Sequence, residues 1–345
     1  MGRRAFHHPD RTGAAPRLTA PIGDPEVAWD AAADVARAIA PMAPDLLDEL
    51  HRNRALLRRG VPAEGAVADN AAFPVLQRQA IQLLQTRLDG GPGFVILRGL
   101  DPAVWSPAEM ENIFWRFCNV LGDPLVQKAE GVKFGRVANL RLPPEARPRY
   151  HETGTGGSIH TDSPIMEQVA DVVGLLCLRA AMMGGDSKFV SVARVHDILL
   201  QHAESLLVEL YEPFYFDRRI SPSAVSPANP AVLRAPIFTY DPDLGSRGLR
   251  LRWQPEYVWQ ASELPGTPPL GERQRLALHL LEGVLEDRAG AITVCLSMQP
   301  GDMQFLNNHA VAHGRTPFLD QPETGSGPDP LTQREMRRVW LRRRP

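Results

Sequence analysis

The chain has 345 residues, of which 43% are apolar and 23% charged, and its 38 basic and 40 acidic side chains leave a formal charge of −2. These proportions are ordinary for a globular protein and allow a large core without a disulfide framework. A balance this close to neutral leaves no electrostatic footprint for nucleic acid or an anionic membrane, so small molecules are the expected partners, and oligomeric state stays open.

Residues 1–25 are rich in Pro, Gly, Arg and Ala without periodicity and read as a flexible leader or a surface strap. The Arg3-Arg4 pair is not followed by an apolar run, and no run of about 18 apolar residues occurs, so neither export nor membrane insertion is indicated. Cys118, Cys177 and Cys295 lie far apart in apolar stretches, the pattern of buried free thiols in a reducing, cytoplasmic compartment. Helical periodicity appears over 44–58 and again over 74–88, where Leu76, Ala80, Leu83, Leu84 and Leu88 share a face. A third helix is expected from Ser106-Pro107-Ala108-Glu109, where Ser caps, Pro suits the first turn and Glu reaches back. Its apolar face is Met110, Ile113, Phe114, Phe117 and Leu121, and all three helices should pack on a sheet.

Short apolar runs bounded by Gly and Pro then predict strands at Phe94–Leu97, Val172–Leu178, Ile237–Tyr240, Leu249–Trp253 and Ala291–Leu296. Two further helical patterns fall near 194–210 and 272–287. The expected class is α+β, mainly β: a sandwich or jelly-roll core (double-stranded β-helix) with flanking helices. One domain should run over 26–345, as a helical elaboration (26–90) on a β core (91–345). Gly-rich clusters at 154–157 and 325–330 are candidate mobile loops at the mouth of a site, or plain turns.

His160-Thr161-Asp162 is the chemically informative triplet, because residues two apart on an extended strand point to one side and could bind one ion. His313 stands far downstream in Asn307-Asn308-His309-Ala310-Val311-Ala312-His313-Gly314-Arg315. Two imidazoles and one carboxylate suit a divalent iron that keeps coordination positions open, whereas a closed structural site wants four ligands. His309 lies four residues before His313, but position 310 is Ala, not Glu, so the metalloprotease helix motif is absent and His309 reads as a packing or hydrogen-bonding neighbour.

Three segments, 158–164 (Ser-Ile-His-Thr-Asp-Ser-Pro), 299–318 and 334–341 (Arg-Glu-Met-Arg-Arg-Val-Trp-Leu), together resemble the taurine dioxygenase and clavaminate synthase group of iron(II)- and 2-oxoglutarate-dependent oxygenases. The resemblance covers roughly residues 90–345, beginning at Gly93-Phe94-Val95-Ile96-Leu97-Arg98-Gly99-Leu100. It implies iron(II) held by His160, Asp162 and His313, with 2-oxoglutarate and dioxygen as cosubstrates. It also implies a bidentate salt bridge from Arg334 to the distal carboxylate of 2-oxoglutarate, a task suited to a planar guanidinium. Arg334 follows His313 by 21 positions, longer than the family's usual interval, which keeps Arg337 and Arg338 open as alternatives.

By the same resemblance Ser187, in Gly184-Gly185-Asp186-Ser187, helps hold 2-oxoglutarate, although such a turn also serves as a plain hairpin. Arg338 would meet an anionic group on the substrate, and His151 in the loop before the ligands could reach it. The implied activity is a single-domain dioxygenase hydroxylating an unactivated carbon of a small, anionic molecule, with desaturation or cyclisation by the same cofactors as the alternative. Asp162 itself argues against halogenation, which in this lineage goes with loss of the carboxylate. The rivals are a non-catalytic jelly-roll binding protein, which has no need of Arg334, and a zinc hydrolase, which lacks its general-base Glu here.

Overall fold

The structure, a computed structural model, describes residues 15–32, 38–61, 65–127, 131–143, 150–220, 225–226, 230–320 and 333–344. Six helices fall close to their predicted places, α1 (Pro44–Arg52), α2 (Arg54–Leu57), α3 (Pro74–Leu83), α4 (Pro107–Leu121), α5 (Val192–Leu210) and α7 (Glu272–Glu286), whereas α6 (Pro255–Ala261) is a short helix that the periodicity does not predict. The pattern over 44–58 is split at Asn53, and the one over 74–88 finishes as a π-helical turn, Leu84–Asp89. The cap read from sequence forms: Ser106 accepts from the Glu109 N–H, and the Glu109 carboxylate accepts from Ser106 N at 2.8 Å. No described helix is long and apolar enough to cross a membrane.

The strands are β1 (Ile39–Pro41), β2 (Phe94–Arg98), β3 (Asp123–Pro124), β4 (Gly135–Ala138), β5 (Val172–Arg179), β6 (Met183–Gly184), β7 (Ser187–Ser191), β8 (Pro213–Asp217), β9 (Val232–Pro236), β10 (Phe238–Tyr240), β11 (Leu249–Leu251), β12 (Thr293–Leu296), β13 (Met303–Asn307), β14 (Val311–Arg315), β15 (Phe318–Leu319) and β16 (Glu335–Arg342). Among the described residues a seven-stranded mixed sheet runs β1-β2-β13-β5-β16-β3, with β4 also paired to β16. β5 lies between β13 and β16 and reads as an almost unbroken apolar run, as a strand buried on both faces must. A three-stranded sheet runs β12-β7-β14.

The two sheets share a core. Phe94 and Ile96 of β2, Val173 and Cys177 of β5, and Leu306 of β13 cluster with Phe189 of β7, Val294 and Leu296 of β12, and Val311 of β14. The outer face of the large sheet is covered by the first helices, where Leu46, Leu76 and Phe114 join Val95, Leu176, Phe305 and Leu341 in one cluster. That face belongs to odd positions of β16, Val339 and Leu341, so Arg334, Met336, Arg338 and Trp340 fall on the face turned to the smaller sheet. The strand period thus decides which arginines reach the interior.

Of the leader expected over 1–25, residues 15–25 form a strap against α5, and 1–14 lie outside the described residues. Ile22 N and Gly23 N donate to the Asp197 carboxylate at 2.8 and 3.1 Å, and Leu18 N to the Tyr211 hydroxyl at 3.3 Å. Cys118 and Cys177 are buried free thiols as expected, but Cys295 is exposed. β12 is the edge of its sheet, and alternation sends Val294 and Leu296 inward and Cys295 outward. The Gly-rich segment 325–330 lies outside the described residues.

Candidate metal centre

β14 carries His313 in the register His313↔Phe189, and His160 forms an isolated antiparallel bridge with it. The two residues exchange backbone hydrogen bonds, His160 N to His313 O at 2.9 Å and His313 N to His160 O at 2.8 Å. This closes a directly opposed pair, so their rings stand side by side with centroids 4.7 Å apart. Asp162, two residues on, faces the same way. One ligand atom from each of His160, Asp162 and His313 lies within 4.8 Å of the others, and all three residues are buried.

Asp162 is fixed by Asn308, a residue buried completely. The Asn308 amide accepts from Asp162 N at 2.8 Å and donates to Asp162 O at 3.0 Å and to Ala170 O at 2.9 Å. The neighbouring Thr161 is pinned by Trp253, whose N–H donates to Thr161 Oγ1 at 2.9 Å. At the carboxylate, Arg338 Nη1 donates to Oδ1 at 3.1 Å, while Oδ2 faces His313 Nε2 at 3.6 Å and has no hydrogen-bond partner. Arg338 is itself held by Gln127, whose Oε1 accepts from Nε at 2.9 Å and whose Nε2 donates to Arg338 O at 2.9 Å.

The electrostatics favour metal-ready protonation states. Burial, then the neighbouring His313, pushes His160 down to about 4, so its ring is neutral near pH 7. Its Nδ1 lies 2.9 Å from Ser158 O, which requires the proton on Nδ1 and leaves Nε2 with a lone pair. Burial alone would raise the Asp162 carboxyl, but Arg338 and then His313 outweigh it and hold the group well below the usual carboxylate range. A neutral nitrogen donor and an ionised oxygen are what a divalent cation needs.

Arg334 enters the same interior just before β16 and is 4% exposed. Its Nη2 donates weakly to Gly185 O at 3.5 Å, and Nη1 is buried with no partner. Burial lowers this guanidinium to about 10, with the Arg315 charge as the second cause. Gly185 has φ +78°, which favours glycine, and a Cβ there would stand 2.9 Å from Arg334 Nε and displace that side chain. A cavity of about 210 Å³ borders Arg334 beside Gly185, Asp186, Met298 and Met336, and Arg334 is the only one of the predicted site residues that lines it. Ser187, buried in β7, donates to Gln304 Oε1 at 2.8 Å. A buried cation with an unpartnered N–H fits a carboxylate, and a His/Asp/His set with an unpartnered carboxylate oxygen fits a divalent metal.

The sequence model of the family described as taurine catabolism dioxygenase TauD, TfdA family, matches residues 57–340. The chain belongs to that family. Among curated relatives, FR-33289 synthase of Streptomyces rubellomurinus is 27% identical over 74% of this chain and 70% of its own length. The L-asparagine oxygenase of Streptomyces coelicolor is 27% identical over 87% and 88% respectively. A solved asparagine oxygenase with iron(II), hydroxyasparagine and succinate superposes with TM-score 0.64 at 21% identity, covering 88% of this chain and 93% of that one. The non-heme iron oxygenase OrfP with iron and alpha-ketoglutaric acid gives 0.59 at 16%, covering 88% and 93%. This TauD/TfdA family member is an iron(II)- and 2-oxoglutarate-dependent dioxygenase.

Around the centre of this dioxygenase His151 is a candidate from sequence, whereas Tyr150, Gln127 and Arg315 carry no local signal. His151 lies buried in the short 3₁₀ turn Tyr150–Glu152, with Nε2 3.8 Å from Glu152. It is Tyr150 of that turn whose ring meets His160 edge-on at 5.2 Å. Gln127 and Arg315 were not singled out either. Arg315 stands two residues after His313, but an arginine in a strand is exposed more often than not, and only its 6% exposure marks it. His309 donates to or accepts from Asp171 at 2.8 Å, the hydrogen-bonding role expected of it. His202 and His279 are exposed, and the aromatics Phe214 and Phe216 of β8 are buried in the core.

Proposed function

We propose that His160, Asp162 and His313 are the iron(II) ligands of this dioxygenase, and that Arg334, with Ser187 two residues on from the Gly185 it contacts, receives 2-oxoglutarate. The observation that carries this reading is the convergence of the three donor side chains within 4.8 Å, on the interior that also holds the unpartnered guanidinium N–H of Arg334. Arg334 is preferred to Arg338 for the distal carboxylate because the Arg338 N–H groups are already directed at Asp162 and Gln127. Against Arg337 stands its place on the opposite face of β16, bonded to Glu111 and Glu335.

Iron(II) and 2-oxoglutarate, when bound, supply the oxidation of a C–H bond, with succinate and carbon dioxide as coproducts. The chain's own residues bind, orient and exclude water. Asn308 and Trp253 fix the Thr161–Asp162 backbone, and the Ser158 carbonyl holds His160 in the tautomer with Nε2 free. The buried surroundings strengthen every charge interaction at the centre. Arg338, with Nε spent on Gln127 and Nη1 on Asp162, would offer Nη2 to an anionic group of the substrate, and His151 stands in the turn whose Tyr150 ring meets His160. The preferred reaction is hydroxylation of a small, amino-acid-like molecule. The curated relative that acts on L-asparagine supports this, as does a solved OrfP complex with L-Arg.

We assign the shared core of the two sheets to a double-stranded β-helix, or jelly roll, with β16, β5, β13 and β2 in one layer and β14, β7 and β12 in the other. The helices of residues 44–121 cover the outer face of the large sheet, which supports one catalytic domain over 26–345. Three free thiols support a reducing, cytoplasmic location.

Anaerobic titration of the apoprotein with iron(II) and then 2-oxoglutarate, read as the visible charge-transfer band of the chelate, tests the assignment. The wild type should develop the band, Asp162→Ala should lose metal binding, and Arg334→Ala should bind iron but need far more 2-oxoglutarate. No band in a wild type that binds iron tightly would overturn the reading.

A further inference from the structure

The residue two places after His313 is buried as deeply as the centre itself, and its surroundings are unusual. Arg315 is 6% exposed and Arg334 is 4% exposed, yet neither guanidinium has a carboxylate within ion-pair distance among the described residues. Asp320, the acidic residue nearest in charge terms to both, spends Oδ1 on the backbone N–H of Arg334 at 2.7 Å, and its Oδ2 has no partner. Burying one cation without a counter-charge is costly, and burying two beside each other adds repulsion.

Aromatic faces and carbonyls hold the pair in place. The Arg315 guanidinium lies 4.8 Å from the Tyr150 ring centre and 4.6 Å from that of Phe318, and Arg334 lies 5.1 Å from Phe318. The same phenyl ring therefore carries both cations. Arg315 also donates to the carbonyls of Tyr150 and Thr153, tying the turn that packs on His160 to the strand that carries His313. Its Nε and the Nη1 of Arg334 remain buried without a partner. Gly157 permits the arrangement, since a Cβ there would come within 2.0 Å of the Tyr150 ring.

We propose that Arg315 is a positioning residue for 2-oxoglutarate: a second cation, linked to Arg334 through Phe318, whose uncompensated charge is balanced when the dianionic cosubstrate binds. This rests on the assignment of Arg334 to the distal carboxylate. Arg315 need not touch the cosubstrate. Its charge raises the potential at Arg334, and its hydrogen bonds set the wall formed by Tyr150. The lowering of Arg334 to about 10, to which Arg315 contributes after burial, is the same repulsion seen from the other side.

The test compares wild type, Arg315→Lys and Arg315→Gln in the anaerobic titration, with 2-oxoglutarate and with 2-oxobutanoate, which lacks the distal carboxylate. Arg315→Gln should weaken 2-oxoglutarate by about tenfold, the scale of one charge acting across a partly screened interior. Arg315→Lys should recover most of that loss. Iron affinity and 2-oxobutanoate binding should move less than about twofold. If Arg315→Gln does not fold, Arg315→Met, which fills the slot between the rings, replaces it. Wild-type affinity in the uncharged variant overturns the proposal. So does equal loss for both oxo acids, or equal loss in the Lys and Gln variants, since each marks a purely structural residue. Absence of the band in the wild type would instead overturn the assignment of the site.

Discussion

Arg338, half-buried, and Asp162, buried, form an ion pair in which the guanidinium occupies one carboxylate oxygen, at 3.1 Å, and leaves the other turned toward His313. The cation thus divides the labour between the two oxygens, one for the protein and one for an incoming metal. Removing Arg338 from the metal-free protein strands a buried carboxylate, which typically costs about 3–5 kcal/mol. We expect Arg338→Met to lower the stability of the apoprotein by that order and saturating cobalt(II) to restore most of the loss, because the metal supplies the missing positive charge. Urea unfolding with and without metal checks this. An equal deficit in both conditions would show that the loss comes from packing against Trp340, whose ring lies 4.8 Å from the guanidinium, and not from charge.

Arg334 is expected to behave in the opposite sense. It is a buried cation with an unpartnered N–H and no carboxylate partner among the described residues, an arrangement kept for binding and not for stability. Arg334→Met should therefore leave the apoprotein as stable as wild type or more stable by about 1 kcal/mol, while 2-oxoglutarate affinity falls by about a hundredfold or more. Thermal unfolding of the apoprotein and the optical titration give the two numbers. A large loss of stability would identify Arg334 as structural.

Asn308 makes three hydrogen bonds within the buried interior, two of them to the backbone of Asp162. Asn308→Ala leaves an N–H and two carbonyls unsatisfied, which should cost about 2–4 kcal/mol. Because those bonds aim the Asp162 side chain, metal affinity should also fall by about 10- to 100-fold, as it does when supporting hydrogen bonds around metal ligands are lost. Isothermal titration with cobalt(II) on the folded variant tests the second part. Unchanged metal affinity in a destabilised protein would confine Asn308 to a structural role.

Much of this molecule is legible in the chain because its signals are local. The capping box at Ser106 and Glu109 and the apolar face from Met110 to Leu121 need only neighbours a few residues away, and α4 begins and ends within a residue of the expectation. The run Val172–Leu178 marks a strand buried on both faces without any knowledge of its partners. His160, Asp162 and His313 were visible as a spacing and a motif, and the structure brings them together through one antiparallel bridge. What stayed hidden depends on contacts across the chain. Nothing local shows that Gln127 braces Arg338, 211 positions away, or that Arg315 is buried between two aromatic rings. Cys295 was misread for a related reason: an apolar neighbourhood does not tell which face of an edge strand is covered.

His196 gives the protein an acid limit independent of the metal. It is fully buried on α5, with Nε2 2.8 Å from the Tyr211 hydroxyl, Nδ1 without a partner and the Phe238 ring edge-on at 5.4 Å. Burial pushes its imidazole from the ordinary 6.5 down to about 4, and the adjacent Asp197, already bonded to Ile22 N and Gly23 N, opposes this only in part. Between those two values the unfolded chain binds a proton that the folded chain refuses. Stability is therefore intact above about 6.5 and declines as the pH falls toward 4, by about 3 kcal/mol once the window has been crossed. His160 and His309 shift in the same direction, so the apoprotein in chelator should lose stability with the slope of up to three protons. His196→Gln removes one of them and should flatten the profile by up to about 1.4 kcal/mol per pH unit, whatever it does to stability at pH 7. Urea denaturation at pH 7, 6 and 5 measures both slopes. Parallel profiles for wild type and variant would mean that His196 titrates normally in the fold, and that its burial against Tyr211 and Phe238 opens readily to water.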